Sequence, residues 1–238
     1  MNILSKTLLG ARATVAFVKL VRDPSKLDEV FNILDSLEAG EDGRAIVKEF
    51  FENPDHAEVF RARPRVGALD LDALGRLPEG TLGRAFAEEM RARGLDPANI
   101  QMRTDDGTPA GYVFMHLRET HDIWHTATGF DVDVAGELGL QAFYLTQFRA
   151  KLSMLILSLG LLNTFFYATE DRTRRMDAIA RGWHMGRRSR ALFGFDWAAH
   201  WATPLAEVRR KLGLDVEAAG ASASASPVRS PEQIQAVA

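Results

Sequence analysis

Apolar positions recur three and four residues apart along most of the chain, the spacing of one face of an α-helix. In residues 1–22, Leu4, Leu8, Ala11, Val15 and Val18 share such a face. Lys6, Arg12, Lys19 and Arg22 surround it with no acidic residue among them. That pattern fits a first core helix with a solvated back, or a basic amphipathic helix touching a membrane surface. Asp23-Pro24 offers an N-cap and a proline at the first helical position, and Val30, Phe31, Leu34 and Leu37 follow until Gly40. A further helix is expected from Arg44 to Glu52. Short turns broken by Pro64 and Pro78 come next, then a helix from Gly80 to Arg93 carrying Leu82, Phe86 and Met90.

The second half is more regular. One helix is expected over Gly111–Thr128, stopped by Gly129. Asp131 and Asp133 offer caps for the next, which holds Glu137 in its first turn. Because residues 138–168 are strongly apolar, that helix is expected to run on through them. Others span about Asp171–Arg190 and Thr203–Leu212. No stretch alternates with period two between turn signals, which argues against a sheet. The expectation is therefore an all-α protein, with one helical domain over 1–216. An Ala/Ser/Pro-rich tail over 217–238 reads as disordered.

Composition narrows the chemistry. A net charge of -3 argues against a nucleic-acid binder, which usually shows a strongly basic face. With no cysteine in the chain, a metal site must be built from His, Asp and Glu. The first apolar stretch is interrupted by Arg12 and has no small-residue cleavage site, so a secretory signal is not expected.

One segment concentrates metal-binding residue types. HDIWH places His121 and His125 four apart on one helical face, with Asp122 on its flank. Glu137 follows eleven intervening residues later, after a Gly-Phe-Asp turn that lets the next helix fold back. Two imidazoles with two carboxylates suit Zn, Mn or Fe(II), with positions left open for water or substrate. Spacing alone leaves other roles open: Asp122 can pair with Arg118 one turn away, and Glu137 can cap a helix N-terminus.

HDIWHTATGFDVDVAGELGLQAF resembles the HDxxH-x11-E signature of the ubiquinone (coenzyme Q) biosynthesis family Coq4. DPSKLDEVFNILDSL, GRRSR at 186–190 and PLAEVRRKLGL at 204–214 resemble landmarks of the same family. The resemblance covers about residues 5–214. It departs at Gly194-Phe195-Asp196-Trp197, where some members carry a tyrosine-glutamate pair, so no role for that glutamate carries over. The resemblance implies a lyase that removes the C1 carboxylate of a polyprenylated 4-hydroxybenzoate-type precursor, in a step that can be oxidative and coupled to hydroxylation. It implies a divalent ion, zinc first with iron or manganese as alternatives. Its ligands and catalytic residues would be His121, Asp122, His125 and Glu137. The implied partners are the polyprenylated aromatic substrate, a membrane surface, other ubiquinone-biosynthesis proteins and a second copy in a homodimer. A bacterial cytoplasmic protein, peripheral on the inner membrane, is the expected setting. The matrix face of the mitochondrial inner membrane is the alternative.

Two other classes compete: a non-enzymatic lipid-binding scaffold, and a helical HD-type phosphohydrolase, which lacks a convincing set of further His and Asp ligands. Residues 152–169 read as a buried core helix, a membrane-dipping hairpin or the wall of an apolar pocket. A polyprenyl tail favours the wall, open towards the membrane. Arg174, Arg181 and Arg188 recur at seven-residue spacing, fitting an anionic headgroup or, more commonly, a solvated face paired with Asp171 and Asp177. Gly182 and Gly186 are expected to allow close helix packing, His184 and His200 to be packing residues, and His116 to lie off the site.

Overall fold

Thr108 and Gly129 bound the helix around which the others assemble. The Thr108 hydroxyl accepts from the Gly111 N–H at 2.9 Å, Pro109 takes the first helical position, and Gly129 ends the helix at φ 69°. The structure is a computed structural model that describes residues 47–48, 50–52, 54–95, 106–148 and 151–216. The helices expected over 1–22 and 24–40, and the tail 217–238, lie outside the described residues.

Among the described residues, eight α-helices follow the helical residues 47–48 and 50–52. They are α1 (Ala57–Ala62), α2 (Leu71–Gly75), α3 (Leu82–Ala92), α4 (Pro109–Thr128), α5 (Val134–Gln147), α6 (Lys151–Tyr167), α7 (Arg172–Arg188) and α8 (Leu205–Leu212). Among the described residues there is no strand, so the all-α reading holds. Helix α4 is buried on nearly every side, with Tyr112, Met115, Ile123, Trp124 and Ala127 inside the main core. Helices α3 and α8 cover one side of it through Phe86, Met90, Val208 and Leu212. Burying each such side chain contributes about 1.5–3 kcal/mol.

Helices α5 and α7 make the closest seam. A Cβ on Gly182 would fall 1.9 Å from the Gly139 carbonyl oxygen, so only glycine permits this approach. A Cβ on Gly186 would meet the Thr146 hydroxyl at 2.0 Å, as the four-residue spacing of the two glycines had implied.

Two expectations need correction. The apolar stretch 138–168 is not one helix. Helix α5 ends at Gln147, and Phe148 turns extended at φ -161°, ψ 163°. Its ring is buried against Phe50 and Tyr144, at centroid distances of 5.1 and 5.5 Å. Gln147 is held by Ser189 and by the Leu192 N–H. Core packing thus overrides helix propensity. His184, expected to pack, is exposed on α7, because the seam buries the opposite face through Gly182, Met185 and Gly186.

Candidate metal centre

Three ligand atoms converge where α4 meets the start of α5. The His125 Nε2 lies 3.0 Å from Glu137 Oε1, and the His121 Nε2 lies 3.7 Å from the same oxygen. The three residues' ligating atoms all fall within 4.8 Å of one another. Two ligands bound tetrahedrally at ~2.0–2.1 Å stand ~3.3 Å apart, so small side-chain movements would close the group around one ion. The histidines meet because residues four apart share a face of α4, and their rings sit edge to face at 5.0 Å. Glu137 joins them because Asp133 caps α5, accepting from the Gly136 N–H at 2.8 Å, which places Glu137 in the first turn.

The imidazoles are anchored differently. His125 is fully buried, and its Nδ1–H donates to the Phe130 carbonyl at 3.1 Å. That bond fixes the tautomer and leaves the Nε2 lone pair facing a carboxylate oxygen, an arrangement that needs a proton or a metal ion between them. His121 is 34% exposed and Glu137 28%, so the group opens on that side, as a catalytic rather than a closed structural site requires. The His121 Nδ1 faces the Tyr144 hydroxyl at 3.3 Å.

Electrostatics match this geometry. Burial works to raise the Glu137 pKa, but hydrogen bonds and charge from His121 and His125 hold it far below the usual carboxylate range. Burial works to lower the His121 pKa, and Glu137, together with the charge of Asp122, raises it instead. Burial pushes the Tyr144 phenol well above its ordinary value, with Glu137 and Asp122 adding to the shift. A proton and a cation therefore compete for the same lone pairs.

Of the four expected residues, His121, His125 and Glu137 come together. Asp122 contributes no atom to the group and acts on it through its charge. The donor set present, two imidazole nitrogens and a carboxylate, is one that zinc, iron(II) and manganese accept. His116 is apart, bonded to Glu119 and to the Gly194 N–H. His200 packs on Phe195 and bonds Thr203. The arginines serve the fold: Arg174 joins Asp171 and Asp133, buried Arg175 joins Asp171, Asn163 and Thr164, and Arg181 lies over the Phe130 ring. Sequence reasoning missed Tyr144 and the Phe130 carbonyl. Tyr144 was findable, since seven residues after Glu137 is two turns along the same face.

Fold and site together define a helical protein with a half-open two-histidine, one-carboxylate centre at a helix–helix junction. Residues 2–217 match the family model "Coenzyme Q (ubiquinone) biosynthesis protein Coq4", and the chain belongs to that family. It is 32% identical over 171 residues to the mitochondrial ubiquinone biosynthesis protein coq4 of Aspergillus niger, covering 68% of this chain and 56% of that one. It is 29% identical over 166 residues to the mitochondrial COQ4 homolog of Rattus norvegicus, covering 68% and 62%. The chain spans 64% of the length of the Yarrowia lipolytica relative and 44% of the Lodderomyces elongisporus one. A crystal structure of a proposed ubiquinone biosynthesis protein from Nostoc punctiforme superposes with a TM-score of 0.74 at 31% identity, covering 87% of this chain and 98% of that one. Among the described residues, no helix is long and apolar enough to cross a membrane.

Proposed function

We propose that this protein binds a divalent ion through His121, His125 and Glu137 and removes the C1 carboxylate of a polyprenylated 4-hydroxybenzoate-type precursor of ubiquinone. The observation that carries the proposal is the convergence of the three ligand atoms within 4.8 Å, open on one side, in a chain of the Coq4 family. When bound, the ion supplies Lewis acidity to a substrate carboxylate or neighbouring ring oxygen. Zinc is the first candidate, with iron and manganese as alternatives. The chain's own groups bind and orient: His125 is held by Phe130, and Glu137 is aimed by the cap of α5. The C1–carboxylate bond breaks to release carbon dioxide, and the electron pair left on C1 takes up a proton. The oxidative version, coupled to hydroxylation, would need dioxygen or a similar oxidant. Asp122, near the centre but outside its ligand group, is the candidate to hold the proton.

A second reading, a lipid-binding scaffold that gathers other ubiquinone-biosynthesis proteins at a membrane surface, rests on α6. Its inner face packs on α5, where Gly160 lies against Leu138, while Phe165, Phe166 and Tyr167 are 73%, 62% and 55% exposed. Such an apolar surface suits a polyprenyl chain, a bilayer or a second copy of the protein. A bacterial inner membrane, or the matrix face of the mitochondrial one, is the proposed setting. One experiment separates the readings. Metal content and decarboxylation of a short-chain substrate are measured on the parent and on His121→Ala/His125→Ala. Near-stoichiometric metal and turnover in the parent, both lost in the variant, are expected. Metal without turnover would leave the scaffold; a parent that stays metal-free after incubation with zinc, iron and manganese would overturn the catalytic reading.

A further inference from the structure

Both imidazoles present Nε2 to Glu137, so each must be oriented through Nδ1. For His125 the backbone does this, through the Phe130 carbonyl at 3.1 Å, in a fully buried setting. His121 has no such backbone partner among the described residues. It is 34% exposed, and its Nδ1 meets one hydroxyl, that of Tyr144, at 3.3 Å.

The geometry points to Tyr144 as the positioning residue of the metal centre, its hydroxyl accepting from the Nδ1–H of His121 and so holding Nε2 as the free ligand lone pair. The inference rests on the metal-centre reading and extends it to a residue outside the HDxxH-x11-E pattern. The phenol is itself fixed. Its ring stacks on Trp124 at 4.5 Å and 21° between planes, and stands edge-on to Phe148 at 5.5 Å. Trp124 precedes His125, and Tyr144 lies two turns beyond Glu137, so one ring contact ties the ligand-bearing faces of α4 and α5 together. A hydroxyl on a locked ring is a better reference point than a mobile side chain, because little rotamer freedom remains to be lost. Outer partners of this kind set ring direction and basicity, and their removal weakens metal binding by ~10–100-fold. Because the hydroxyl accepts through a lone pair, its own O–H proton is not consumed by the bond to His121.

The test is Tyr144→Phe, which keeps the ring stack and deletes one oxygen. Zn2+ affinity is measured by chelator competition, and the Co2+-loaded absorption spectrum reports ligand geometry. Melting of the metal-free protein serves as the control for packing. Expected is a ~10–100-fold weaker Zn2+ affinity and an altered Co2+ spectrum, with melting close to the parent. Tyr144→Leu, which also removes the stack, is expected to lower melting as well, separating packing from positioning. Parent-like affinity and spectrum in Tyr144→Phe would overturn the positioning role while leaving the metal centre intact. A parent that binds neither Zn2+ nor Co2+ would remove both.

Discussion

Two histidine–carboxylate groups take their histidines from helix α4 and are built from the same residue types, with opposite outcomes. At one, His116 and Glu119 are both about 1% exposed, and every polar atom is matched. Glu119 accepts from the His116 Nδ1–H, the Val66 N–H and Arg65, while the His116 Nε2 accepts from the Gly194 N–H. At the other, His121 and His125 turn Nδ1 to neighbours, and their Nε2 atoms converge on Glu137. Saturation marks a structural clasp, tying the loop at Gly194 and the segment at Val66 to α4. Convergence of lone pairs without enough donors marks a group that a proton or a metal ion can bridge.

The largest test of this contrast exchanges each carboxylate for its amide. Glu137→Gln is expected to weaken Zn2+ binding by more than the ~10–100-fold typical of outer partners, with the metal-free fold nearly unchanged. Glu119→Gln should do the reverse, costing about 2 kcal/mol in urea unfolding through its charged, buried hydrogen bonds, with metal stoichiometry retained. A Glu119→Gln protein that loses metal would erase the distinction.

A smaller effect separates the two in pH. Burial works to raise the Glu119 pKa, but hydrogen bonds from His116, the Val66 N–H and Arg65 lower it. The stability it contributes is present above the unfolded carboxylate value, about 4.3, and disappears as pH falls through the lower folded value. His121 in the metal-free protein has the opposite sign. Its raised pKa contributes stability that is present below about 6.5 and lost as pH rises through the folded value. The melting temperature gap between Zn2+-loaded and metal-free protein should therefore widen as pH rises through neutrality, where the competing proton leaves. A gap that stays flat from about pH 5 to 8 would show that no imidazole proton competes with the ion.

The smallest expected change is in Asp122→Asn. Because Asp122 acts on His121 through charge and gives no atom to the ligand group, metal should be retained with less than about tenfold loss. The His121 pKa, followed by NMR titration of the metal-free protein, should fall. Complete loss of metal would make Asp122 a ligand after all.

The sequence by itself determined the helical class, the break at Gly129, the cap at Asp133 and the pairing of His121 with His125, because each depends on neighbours within a turn or two. Spacing also brought Glu137 within the same group, since a short turn leaves α5 little choice but to fold back on α4. Only the tertiary structure decided that Asp122 stands off the ligand group, that His184 faces out and that α5 stops at Phe148. The last two outcomes depend on contacts with Phe50, Gly139 and Leu192, far away along the chain. The same holds for the two anchors of the imidazoles. Helical periodicity places Tyr144 on the correct face of α5, but whether its hydroxyl reaches His121 is set by how α5 packs on α4, where the Tyr144 ring stacks on Trp124, a contact that no local pattern encodes.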